Sequence, residues 1–253
     1  MSAIDPTRSQ PRTQADRSDV SRQRILDAAL IEFSADGLAG ARTERIAAAA
    51  GVNKALLYYY FESKENLYTA TLAMISARVR DSSLAVFLRP ATPGERILRF
   101  ALNHFDRILS QREFQSLMQQ EMMRVHKGES SAVSMLVQRV FAPVYAMFQS
   151  LVREGIASRE LIEADWFQFP LAALGANVFY FLSAPVWAPI MPFDPFAPDV
   201  LAERRRALVR FLGQALFLDR EHGARLAEQV LADTPMPEIA QDRFKHGRKN
   251  ERT

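Results

Sequence analysis

Apolar side chains recur along most of this chain at intervals of three and four residues, the spacing that lays one apolar stripe along a helix. Runs alternating with period two, which mark half-buried strands, are scarce, so an all-α fold is expected. Ile25, Ala28, Ala29, Leu30 and Phe33 share one face and predict a first helix over 21–35, stopped at Asp36-Gly37. Thr43 is expected to cap a second helix, a third occupies 53–59, and Ser63 is expected to cap a long one reaching Leu88. Thr92-Pro93-Gly94-Glu95 reads as a capping box with proline at the first helical position. Further helices are predicted over 93–110, 112–127, 131–157, 164–184, 199–218 and 221–232. The joints fall at Lys127-Gly128, Arg159-Glu160 and the proline-rich 185–198.

The segment from Thr43 to Lys64 carries the most chemistry. Two short helices meet at Gly51, where a steep turn favours the positive φ that glycine adopts without penalty. Ile46, Ala47, Ala50, Val52 and Leu57 are spaced to form a small shared core, with Tyr59 and Phe61 expected to join it. The short side chains of 47–50 allow close approach. This is the layout of a helix-turn-helix, in which the second helix enters the DNA major groove. Asn53, Lys54, Ala55 and Leu56 then sit at the exposed start of that helix, with groups suited to base edges and thymine methyls. Tyr58, Tyr60 and Lys64 follow, and Thr43 and Arg45 stand at the start of the preceding helix, where hydroxyls, cations and the helix dipole suit phosphates.

Thr43, Ile46-Ala47, Ala50-Gly51-Val52, Leu57-Tyr58, Tyr60-Phe61, Lys64 and Leu67 together resemble the DNA-binding domain of the TetR family of transcriptional regulators. The resemblance covers about 50 residues. It implies a homodimeric, all-helical regulator, usually a repressor, whose C-terminal domain dimerises and binds a small effector. It assigns base contacts to Asn53, Lys54, Ala55, Leu56 and Tyr58, and phosphate contacts to Thr43, Tyr60 and Lys64. The expected partners are a pseudo-palindromic double-stranded operator, a second copy of the chain and a small hydrophobic or aromatic effector. The expected divisions are a disordered N-terminal arm at 1–19, a DNA-binding domain at 20–66, an effector-binding and dimerisation domain at 67–233, and a flexible basic tail at 234–253.

Charge adds little to this picture. Residues 1–64 hold nine Arg/Lys and eight Asp/Glu, a net of +1, so no broad basic face exists. The five arginines before residue 25 could form an arm along the DNA backbone or simply solubilise the terminus. With no cysteine there is neither disulfide nor thiolate metal site, and the N-terminus lacks the apolar core of a signal peptide. Residues 166–191 carry no charge and are long enough to span a membrane, yet Pro170, Pro185 and Pro189 interrupt them and Gln168 and Asn177 lie within. A buried or subunit-interface helix in a cytoplasmic protein, with no membrane partner, is the expectation.

The C-terminal two thirds shows no phosphate loop or hydrolase motif, and its histidines are scattered, so no enzyme activity, cofactor or metal is expected. Phe100, His104, Phe114, Met118, Glu121, Met122, Phe141, Tyr145, Phe148, Asn177 and Phe181 offer aromatic, thioether and polar surface for an effector pocket. An apolar core would use most of the same residues. Dimerisation is expected on 164–184, through Ala172, Ala173, Gly175 and Ala176, and on 199–218, through Leu208, Phe211, Leu212 and Ala215. A helical small-molecule-binding protein without regulatory DNA binding is the alternative.

Overall fold

The computed structural model describes residues 14–129, 132–163, 165 and 167–238, so most of the proposed arm and basic tail lies outside it. The described elements are helices: α1 (Gln14–Gly40), α2 (Thr43–Ala50), α3 (Lys54–Phe61), α4 (Lys64–Phe87), α5 (Pro93–Ser110), α6 (Arg112–His126), α7 (Val133–Leu136), α8 (Ala142–Ala157), α9 (Gln168–Trp187), α10 (Pro198–Leu216) and α11 (Arg220–Asp233). The only extended pairing among the described residues is an isolated bridge between Leu161 and Phe217. Helix α1 starts at Gln14, earlier than the expected Ser21, and turns sharply at Gly37 (φ 69°, ψ 178°), where Asp36-Gly37 was expected to end it.

The chain divides into two compact units. One comprises residues 1–75 and 116–133, the other residues 76–115 and 134–253. In the first, Ile25, Ala29 and Phe33 of α1 are buried, as are Ile46, Leu57, Leu67 and Leu72, all at most 1% exposed. Phe33 stands edge-on to Tyr68, with ring centroids 5.1 Å apart. The Tyr68 hydroxyl donates to the buried carboxylate of Glu121 at 3.0 Å, and the Arg124 guanidinium lies over the tyrosine ring.

In the second unit α5 is central, contacting α8, α9, α10 and α11. The Thr92 hydroxyl accepts from the Glu95 amide at 3.2 Å, as the capping signature predicted. The Glu95 carboxylate turns instead to Arg99 at 2.7 Å, and Glu160 takes its place, accepting from Thr92 and from the Gly94 amide. Between α7 and α8 the chain widens into a π-helical segment, Val137–Phe141, just before Pro143. Proline has no N–H and its ring crowds the carbonyl four residues back. That carbonyl, on Arg139, accepts from the Arg80 guanidinium instead.

Helices α10 and α11 approach until a Cβ at Gly213 would lie 2.6 Å from the carbonyl oxygen of Gly223. No side chain fits at either position, and the backbones themselves make the contact. Two stretches, Ser134–Ala157 and Gln168–Trp187, are long and apolar enough to cross a membrane by length and composition alone.

Candidate functional site

The reading head is built from the turn outward. Gly51 adopts φ 64°, ψ 39°, and its N–H and that of Val52 close back on the carbonyls of Ala48 and Ala47. This left-handed cap ends α2 and redirects the chain within two residues. Asn53 then starts α3, its side-chain oxygen accepting from the Leu56 amide at 2.7 Å. That capping role was not foreseen for Asn53, and it fixes the orientation of the amide group at the tip of the helix.

Leu57 and Phe61, one turn apart, are the buried edge of α3. Asn53, Lys54 and Ala55 are exposed, Leu56, Tyr58 and Tyr60 are half-buried, and Tyr59 is 79% exposed. Tyr59 therefore departs from the expected core placement. Two positions from both Leu57 and Phe61, it faces the opposite side of the helix. Phe61, at 4% exposed, is in the core as expected.

Thr43 is not the cap of α2. Arg42 holds that position without a side-chain bond, its amide donating to Glu32. Thr43 is buried, and its hydroxyl sits 3.3 Å from that of Tyr58, joining α2 to α3. Three cations of the head, Lys54, Arg45 and Lys64, have internal partners. Lys54 is paired with Glu44, which holds the lysine pKa above its ordinary value and the Glu44 carboxyl below its own. Arg45 reaches Asp36 at 3.3 Å and Glu32 at 3.6 Å, and Lys64 donates to the Ala39 carbonyl at 3.1 Å. Tyr60 shares a hydrogen bond with Ser18. Glu44 was not singled out from the sequence, because a surface glutamate acquires meaning only once α2 and α3 cross.

The expected pocket residues do not converge. Met118, Glu121 and Met122 belong to the first unit, where Glu121 is engaged by Tyr68 and Met122 is 60% exposed. Phe100 and Phe148 are core, packed with Phe87 at centroid distances of 4.6 to 6.4 Å. Phe181 packs on Phe105. Phe141 lies in the π-helical segment, and Tyr145 is half-buried near Phe167. Asn177 is fully buried, with neither amide atom hydrogen-bonded.

His104 and Phe114 do meet, lining a void of about 20 Å³ with Arg107, Ile108, Gln111 and Gln115. Burial, with the Arg107 charge adding to it, pushes the His104 pKa down to about 3, so the imidazole is neutral at physiological pH. Arg107 and Gln111 escaped the sequence reading because neither interrupts an apolar pattern.

The expected dimer residues divide as well. On α9, Ala172, Gly175 and Ala176 are exposed, alongside Leu171, Phe179, Leu182 and Val186; the side chain of Ala173 lies outside the described set. Leu171, Gly175, Phe179, Leu182 and Val186 follow at intervals of four, four, three and four, a single stripe. On α10, Phe211 and Ala215 are exposed, whereas Leu208 and Leu212 are buried in their own unit's core. The two leucines thus do not belong to an outer face, since α10 turns them toward α5 and α11.

Comparison with known proteins agrees with this architecture. Residues 25–71 match the model of bacterial regulatory proteins of the tetR family, and residues 93–212 match the tetracyclin repressor-like C-terminal domain. The transcriptional repressor NicS of Pseudomonas putida is 27% identical over 144 residues, covering 57% of this chain and 67% of NicS. The regulator RutR of Escherichia coli K12 is 54% identical over 54 residues, which is 21% of this chain but only 26% of RutR. A regulator from Saccharomonospora viridis, solved in complex with choline, shares the fold at a TM-score of 0.64 and 16% identity, over 79% of this chain and 98% of that one. From its helix-turn-helix head to its helical C-terminal unit, the chain belongs to the TetR family of transcriptional regulators.

Proposed function

We propose that the protein is a homodimeric, cytoplasmic repressor that binds a pseudo-palindromic operator and is released by a small effector. The observation that carries this reading is the exposed start of α3, where Asn53, Lys54 and Ala55 project from a head whose turn and core are otherwise closed. A helix presented in this way enters the major groove, and two copies related by a twofold axis read two half-sites. Asn53, Lys54, Ala55, Leu56 and Tyr58 take the base edges. Thr43, Arg45, Tyr60 and Lys64 take the phosphates, each exchanging an internal partner for a phosphate oxygen as DNA arrives.

The apolar stripe on α9, with Phe211 and Ala215 of α10, supports the second copy, because a soluble protein rarely leaves such a row in water. The effector acts by binding better to a form whose heads are wrongly spaced, and it weakens operator affinity by that difference. The test is recovery of bound fragments from genomic DNA by the purified protein, followed by sequencing. One enriched inverted repeat is expected. No enrichment at moderate salt would leave a small-molecule-binding protein that does not act on DNA.

A further inference from the structure

We propose that the effector carries a carboxylate and that Arg107 is its counter-charge, with a neutral His104 donating to it from Nδ1. This rests on the regulator reading above and names the chemistry of the ligand.

Three other arginines of this unit have carboxylate partners. On α5, Arg96 meets Glu154 at 3.2 Å, and Arg99 meets Glu95 and Asp233 at 2.7 and 2.9 Å. Arg205 of α10 grips Asp106 through two bonds of 2.7 and 2.8 Å. Among the described residues Arg107 has no such carboxylate. It makes two long contacts of 3.4 Å, to the Ser83 hydroxyl and the Asn103 side-chain oxygen, both neutral. Asp106, its neighbour in sequence, is already committed to Arg205. Arg107 is half-buried; a guanidinium drawn partly out of water without an opposite charge is costly, and a fork of N–H donors is matched best by a carboxylate.

A small void lies beside it. His104 lines it, and its Nδ1, buried without a hydrogen bond, donates to an anion in the tautomer protonated there. The Gln111 Oε1 is also buried and unpaired, but it is an acceptor, so an anion seated here requires the Gln111 amide to turn over and present Nε2. A volume of about 20 Å³ admits a small polar head and no more. The body of the molecule therefore displaces the apolar lining, Ile108 and Phe114. Burial lowers the Arg107 pKa to about 10, which still leaves the group charged at neutral pH.

The test pairs acids with their own amides: hexanoate with hexanamide, benzoate with benzamide, phenylacetate with phenylacetamide, and acetate and chloride at equal ionic strength as small-anion controls. Binding to the full-length protein is read by calorimetry and by the shift in Tm. At least one acid with an apolar body is expected to bind one per subunit, at least tenfold tighter than its amide. In Arg107→Gln that preference disappears, while Arg107→Lys retains part of it. A merely structural arginine predicts a lower ligand-free Tm for Arg107→Gln; an unmatched one predicts an equal or higher Tm. If no acid outbinds its amide, or acetate and chloride do as well as the larger acids, the proposal is overturned. Operator binding is measured separately on the same preparations, so a failure of the regulator reading appears there and not in the acid–amide comparison.

Discussion

The ammonium of Lys54, at the start of the reading helix, is held by the carboxylate of Glu44 on the preceding helix. Both groups are exposed, so the pair adds little to stability. On the operator-binding reading proposed above its effect falls on DNA binding: Glu44 sets a negative charge beside the phosphates, and Lys54 leaves it to reach a base. Glu44→Gln is expected to leave Tm unchanged and to tighten binding to all sequences several-fold at low salt. Discrimination between operator and random DNA should narrow. Fluorescence anisotropy across a salt series checks this, and weaker binding would mean that Glu44 itself contacts the operator.

Gly51→Val tests the turn. A β-branched residue at φ 64° costs on the order of 1–2 kcal/mol, and its Cβ would also meet the Arg24 guanidinium, which has to move. Urea denaturation should show a loss of about that size together with weakened operator binding. A variant as stable as the parent would contradict the left-handed cap.

His104, half-buried with its Nδ1 out of contact with water, makes stability depend on pH. Its folded pKa of about 3 lies below the unfolded value of about 6.5, so the unfolded chain takes up a proton first as pH falls. Native stability should therefore decline from about pH 6.5 down toward pH 3, by an amount on the order of 5 kcal/mol over the full window. His104→Gln should remove this part of the acid limb. Urea midpoints of both proteins at pH 7.5, 5.5 and 4.5 measure the difference, and parallel curves would show that the imidazole is solvated.

Phe179, 64% exposed in the α9 stripe, is the probe for self-association. Phe179→Asp should convert dimer to monomer in light scattering and reduce operator affinity at least a hundredfold, because two half-sites no longer act together. Its helix content should not change. A variant that stays dimeric would place the interface elsewhere.

The fold was legible where local signals agree. The capping residues Ser63 and Thr92 and the left-handed Gly51 stand where the sequence places them, because each is decided within four residues. Helix-face assignments were less secure. In the run of 58–61, three tyrosines and a phenylalanine look alike, and only the position of Leu57 and Phe61 against α1 turns Tyr59 outward. Leu208 and Leu212 are as apolar as Phe211, and the sequence does not say which stripe of α10 meets its own chain. The proposed effector seat was the least legible. Its polar lining comes from residues such as Arg107, distinguished only by the carboxylate it lacks.

The backbone contact between Gly213 and Gly223 has a consequence for inheritance. Any side chain at one position forces α10 and α11 apart, and once they have separated the space at the other is already open. Two substitutions there should cost little more than the first alone, well short of their sum. The pair is therefore one locus spread over two codons: selection removes the first change, and after it has little left to remove in the second.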